Sequence, residues 1–339
     1  MGLFDRLFGR QPATAADPLL GKALDRTVEI VEPKLAFARD WRARLTPGVA
    51  AAIEFSRAAA QRMQQVHDLS PAAWGADPLV RAAFATGDSV TQALGRMREV
   101  QRYFRAPGAG DEAYAVLGMA FQTRKVLGAG LVGDQVRQEV ERQQVSFADY
   151  RIRIIAANAD EMRQATGIRV FNELLLAATR GLAQADERRQ EINVSRAMLQ
   201  ARLRMLEARE GTLTEDLGGD GDGEEGADPL VERAELQRRL DEMNATMAQY
   251  GAGTEGLDRQ LEIVRDTLLS ARELVHIDTH RLHLDSVNTV LDESQARGPA
   301  IEFEYLQAPK ISRAFVPVRI LRTDVPAGGL SIAAVERTL

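Results

Sequence analysis

The chain has 339 residues, 45% of them hydrophobic, 27% charged and 5% aromatic, with a formal net charge of −6 and no cysteine. That length holds two or three domains and a real core, whereas no run approaches the ~18 apolar residues of a membrane span. Without cysteine there are no disulfides, thiol nucleophiles or Cys-based zinc sites.

A low aromatic content with abundant Ala, Leu, Arg, Glu and Gln favours helix over sheet. The opening MGLFDRLFGR lacks the apolar core and cleavage site of a secretory signal, which suits a cytoplasmic protein. Charge is unevenly placed. Seven acids and no base lie between Gly211 and Pro229, and without them the net charge would be +1. No clustered basic surface of the kind that binds phosphate backbones is present, so nucleic acid is not an expected partner.

Residues 1–10 form a unit of their own. At 100° per residue Met1, Leu3, Phe4, Leu7 and Phe8 share an arc of roughly 160°, with Asp5, Arg6, Gly9 and Arg10 opposite. Leu3, Phe4, Leu7 and Phe8 with Arg6 and Arg10 suit shallow insertion into an anionic bilayer interface, on the cytoplasmic face of the inner membrane. Docking of the same apolar face on protein is the alternative. Arg6 stands where a myristoylation signal needs Ser or Thr.

A small-residue linker, 11–17, leads to a helical pattern over 18–120, read as a bundle of four or five helices. Asp17 and Pro18 read as N-cap and first helical position. Pro33, Pro47-Gly48, Ser70-Pro71 and Asp77-Pro78 mark further breaks or starts, and Trp41 and Trp74 are expected packing anchors. His67, next to Asp68, reads as a helix-end residue.

Over 121–156 the texture changes. Tyr150, Ile152 and Ile154 alternate with Arg151 and Arg153, the period of a strand. Val145 and Phe147 extend it, with a phase shift at Ala148 and Asp149 that suits a bulge. Gly133-Asp134 is a turn candidate, giving a hairpin of 124–132 with 136–154; the competing reading makes 134–144 a short helix. Gly128, Gly130 and Gly133 spell a literal G-x-G-x-x-G, but only Val126 and Leu127 precede it as strand and no doubly wound pattern follows. These are read as hairpin glycines.

The region 157–275 reads as an antiparallel coiled-coil hairpin with the acidic stretch 211–228 as its loop. In one heptad frame Ile168, Leu175, Leu182, Arg189, Arg196, Leu203 and Glu210 take a positions. Phe171, Ala178, Ala185, Ile192, Leu199, Leu206 and Leu213 take d, so eleven of fourteen are apolar. The returning seam carries Leu236, Leu240, Met243, Met247, Tyr250, Leu257, Leu261, Val264, Leu268, Ala271 and Val275. Gly251, Gly253 and Gly256 are expected to split this arm into two shorter helices. Asp220 to Glu224 imitates a calcium loop, but Glu225 stands where the turn needs glycine.

The remainder, 276–339, reads as β-rich. Ile301, Phe303 and Tyr305 alternate with acids, and Phe315 to Ile320 contains an edge-type proline, Pro317. This small sheet has the means to pair with the earlier hairpin. Ser331 caps an expected final helix, 332–339. His276, His280 and His283 fall at helical spacing and are weak metal candidates. On a strand His283 would point away from the other two.

The ordered combination of DPLVRAAFA (77–85), VSFADYRI (145–152), the heptad arms and the β-rich tail resembles an uncharacterised family of proteobacterial coiled-coil proteins with no known activity. It supports the architecture and brings no site. The sequence thus predicts a mainly α (α+β) fold: an N-terminal helical bundle, an antiparallel coiled-coil hairpin and small β elements. Its expected role is a non-enzymatic, peripherally membrane-associated scaffold or adaptor, without cofactor or metal. The seam residues Ile192, Leu199, Leu203, Leu206, Leu236, Leu240, Met243 and Met247 would hold another copy of the chain or a protein partner. A soluble adaptor, or less favourably a nucleotide- or metal-binding enzyme, are the alternatives.

Overall fold

A computed structural model describes residues 18–132, 135–213, 229–248, 254–292, 299–308 and 311–326, to which every structural statement refers. The described residues divide into two compact units, one of 52–172 and 270–326, the other of 18–51 and 173–269. The N-terminal residues Leu3, Phe4, Arg6, Leu7, Phe8 and Arg10, the Gly133-Asp134 turn, the acidic stretch from 214 and the Ser331-capped segment lie outside the described residues.

The first unit is built on a seven-stranded sheet. Its strands are β1 (His67–Asp68), β2 (Glu112–Val132), β3 (Gln135–Ala156), β4 (His276–Leu284), β5 (Val290–Leu291), β6 (Ile301–Ala308) and β7 (Ile311–Leu321). They run in the order β3-β2-β7-β6-β4-β5, every neighbouring pair antiparallel, with β1 parallel to β7. The sheet curls until its ends meet. The Val145 N–H donates to the Asn288 carbonyl at 2.9 Å, and Gln144 bridges Thr289 just before β5.

This overturns the expectation of a mainly helical protein with small β elements. The hairpin extends from Tyr114↔Ala156 to Val132↔Gln135, and β7 inserts between β2 and β6, making one large sheet from distant segments. The supposed bundle gives way to strand at Glu112. Ala113, Ala115, Leu117 and Met119 are buried on one face and Val116 on the other, so neither face shows the polar alternation that marks a half-exposed strand. The phase shift near Ala148 is a register slip against Gly118–Ala120, with Asp149 at φ 49°. Asp149 tolerates that left-handed backbone better than most residues.

Short helices cover one face of this sheet: α3 (Pro78–Ala83), α4 (Gly87–Arg96) and α5 (Arg98–Arg105). Leu79, Val80, Phe84, Val90, Leu94 and Val100 join Leu117, Phe303, Val316 and Val318 in one core. Trp74 packs against it and donates to the Phe84 carbonyl at 2.7 Å, whereas Trp41 lies outside it with Arg42 over its ring. Helices α1 (Pro18–Val31) and α2 (Trp41–Gln61) precede β1. Contrary to the break that Pro47-Gly48 suggests in the sequence, α2 continues through Pro47.

In the second unit α1 buries Leu20, Ala23, Leu24, Val28 and Val31, the spacing of one helix face. The longest helix, α6 (Ala159–Leu213), contributes to both units. It buries Phe171, Leu174, Leu175, Ala178 and Leu182, wider than an a/d stripe and characteristic of a globular core helix. The chain is therefore not organised around a coiled coil. Farther along, between 186 and 207, no residue is buried.

The returning segment forms two helices, α7 (Pro229–Ala248) and α8 (Thr254–Leu269). Arg202 on α6 pairs with Glu232 on α7. Nearer the core, a Cβ on Gly181 of α6 would lie 3.5 Å from Thr267 Oγ1 and 3.6 Å from Ile263 on α8.

Candidate functional site

A cavity of about 540 Å³ opens in the sheet-based unit where β1 meets the chain before α3 and the start of β6. Two adjacent residues on a two-residue strand position its polar wall. His67 pairs with Val318 and Asp68 with Arg319, and the Leu69 N–H donates to the Arg319 carbonyl at 2.8 Å. The Arg319 guanidinium grips Asp68 with two hydrogen bonds, Nε to Oδ1 at 2.7 Å and NH2 to Oδ2 at 2.8 Å. Those bonds, and then the carboxylate's charge, raise the Arg319 pKa.

The second anchor is Asp77. Asp77-Pro78 does begin a helix: Oδ1 accepts the N–H groups of Leu79 (2.8 Å) and Val80 (3.2 Å), capping α3. Oδ2 faces His67 Nδ1 at 2.7 Å. Burial alone would raise the Asp77 pKa, but the His67 hydrogen bond and charge, with the two backbone donors, more than offset it and the pKa is lowered. An ionised carboxylate only accepts, so Nδ1 carries the proton, and whenever the ring is neutral Nε2 is an acceptor.

His67 is only 7% exposed and lines the cavity, yet Nε2 has no hydrogen-bond partner among the described residues. Nor is it among the wholly buried unpaired atoms, so it reaches the accessible edge. Ser70 also lines the cavity, but its Oγ accepts the Ala73 N–H at 3.1 Å and serves the turn. The helix-end reading of His67 gives way to a strand residue, and this constellation was missed. Ten residues separate His67 from Asp77, and only the pairing of β1 with β7 fixes the ring; the Asp-Pro cap was the one local signal.

The other candidates fall elsewhere. Gly128 and Gly130 lie within β2, not between a strand and a helix, so they form no dinucleotide cradle. His276, His280 and His283 lie on β4, where alternation puts His283 opposite the other two. His280 is stacked on Phe303 (5.4 Å) with Phe121 and Tyr305 edge-on. No group of three or more metal-ligating side chains is found among the described residues.

Ile192, Leu199, Leu203, Leu206, Met243 and Met247 are half-buried, and Leu236 and Leu240 are buried. A second apolar stripe on α6 escaped the sequence reading: Val194, Met198, Ala201 and Met205 are exposed, Met198 by 67% and Met205 by 69%. Spaced i, i+4, i+7 and i+11, they form one line along the helix. Glu187 and Glu191 precede that line, and Arg202 and Arg204 border its far end; all four are exposed.

No described helix is long and apolar enough to cross a membrane. The chain matches no family model, enzyme families included, no curated protein and no solved structure.

Proposed function

We propose that the protein is a non-enzymatic scaffold that self-associates through the distal part of α6 and attaches peripherally to an anionic membrane surface through residues 1–10. The observation that carries this reading is the exposed line Val194, Met198, Ala201 and Met205. Large apolar side chains repeated along one exposed helix face favour a partner helix. A second copy is the occupant that the stripe's own spacing favours. Laid antiparallel about the point between Leu199 and Gln200, the stripe matches itself, Val194 of one copy facing Met205 of the other and Met198 facing Ala201.

Membrane attachment rests on the amphipathic sequence of residues 1–10. One such segment anchors weakly, and two in a dimer bind with a much higher effective concentration. Two measurements on the full chain test the reading. Native mass should show a dimer at micromolar concentration that the pair Met198→Lys and Met205→Lys converts to monomer with its circular dichroism unchanged. A monomer at all concentrations, or a dimer indifferent to both substitutions, removes the self-association claim. The full chain should float with phosphatidylglycerol-containing vesicles and a chain lacking residues 1–10 should not; equal flotation removes the membrane claim.

A further inference from the structure

We infer that the cavity beside His67 is a binding site for a primary alkylammonium group. Its charged lining is all carboxylate, Asp68, Asp77 and Glu302, with Gln65 and Ser70 as neutral polar groups beside them. His67 Nε2 stands without a partner on a ring otherwise 93% buried, and Glu302, which lines the same cavity, has no ion pair or hydrogen bond among the described residues. Asp68 adds a second carboxylate, already satisfied by Arg319, and Asp77 a third, satisfied by His67 and the α3 cap. Among the described residues no Lys or Arg lines the cavity. A ligand that completes His67 Nε2 and Glu302 must donate hydrogen bonds and carry positive charge, while an anion would be repelled by the three carboxylates.

The rest of the lining favours an alkyl stem. Leu79, Ile301, Pro78 and Pro299 supply apolar surface, and Ala72, Ala73 and Ala76 are short enough to leave room beside it. An ammonium between His67 Nε2 and Glu302 would let three or four methylenes lie along that wall, as lysine stems do on apolar surfaces. The Asp77–His67 bond acts as the selector. By holding the proton on Nδ1 it keeps Nε2 an acceptor, so Asp77 is a positioning residue for the ligand rather than a contact.

Free diamine and a peptide-borne lysine share this chemistry, and the test separates them. Imidazole nitrogen resonances of the full chain would be followed at pH 8 during titration with putrescine, with a short lysine-containing peptide blocked at both ends, and with tetramethylammonium. We expect a saturable shift of the His67 Nε2 signal with one or both ammonium probes and none with tetramethylammonium, which has no N–H. Whichever probe saturates at lower concentration identifies the source.

The variant Asp77→Asn keeps a cap acceptor for Leu79 and Val80 but offers an amide N–H to Nδ1, which turns Nε2 into a donor. It should weaken binding about tenfold, as should Glu302→Gln. The Nε2 signal itself reports the tautomer change in Asp77→Asn and so shows that the variant is folded. The absence of a saturable shift with either probe overturns the inference. So do equal shifts with tetramethylammonium, or unchanged affinity in both variants.

Discussion

Asp77 serves two partners with its two oxygens, one closing a helix and the other fixing an imidazole. Its lowered pKa has a defined consequence for stability. A carboxyl whose folded pKa lies below its unfolded value of about 3.9 stabilises the fold above that value. The contribution disappears as pH falls through the folded pKa. Asp77→Ala should therefore lose the cap, about 1 kcal/mol, together with the His67 bond near neutrality. The difference from the parent chain should shrink below about pH 4, where the parent's carboxylate is itself being protonated. Urea midpoints from pH 7 down to pH 3 measure it. A gap that stays constant over that range would show that the Asp77 charge contributes nothing.

At the scale of elements, periodicity was readable wherever one face of an element meets water. The α6 pattern and the Ile152–Ile154 alternation are such cases, since a solvated face writes polar residues at regular intervals. It failed where both faces are covered. Residues 113–119 alternate between two apolar environments and include Gly118, where an added Cβ would lie 3.0 Å from the Phe315 ring. Small side chains there answer to packing, and they resemble a helical composition.

Gly48 shows the same pressure between helices. A Cβ there would come within 2.7 Å of the Arg265 carbonyl, a backbone atom of α8 that has no rotamer to escape into. What the sequence presents as a Pro-Gly break is a close crossing inside α2. Gly48→Ala should cost about 1–3 kcal/mol because two backbones must part. Gly21→Ala on α1, with nothing within 4 Å, should be neutral or gain up to about 1 kcal/mol. Paired thermal melts decide it, and equal melting temperatures would show that the two helices have room to separate.

For the whole molecule, the decisive contacts join the most distant parts of the chain. β7 pairs with β2 from Glu112↔Leu321 to Met119↔Ala314, with β6 along Ile311–Phe315, and with β1 at Val318 and Arg319. Sequence periodicity announces strands but not their order, because pairing across some two hundred positions is set by which edges and faces remain to be covered. His67 and Asp68 illustrate the result: two residues acquire a strand identity only because β7 offers them an edge. This predicts unequal tolerance along the sheet. Val318, 1% exposed and flanked by His67 and Ala115, should lose at least about 3 kcal/mol when replaced by Asp, since the charge finds no partner in that core. Leu127, 72% exposed and lying beyond the stretch of β2 that β7 covers, should accept Thr within about 0.5 kcal/mol. Equilibrium urea unfolding of the two variants measures both. A mild Val318→Asp, or a Leu127→Thr as costly as it, would mean that β7 is not the strand on which the sheet depends.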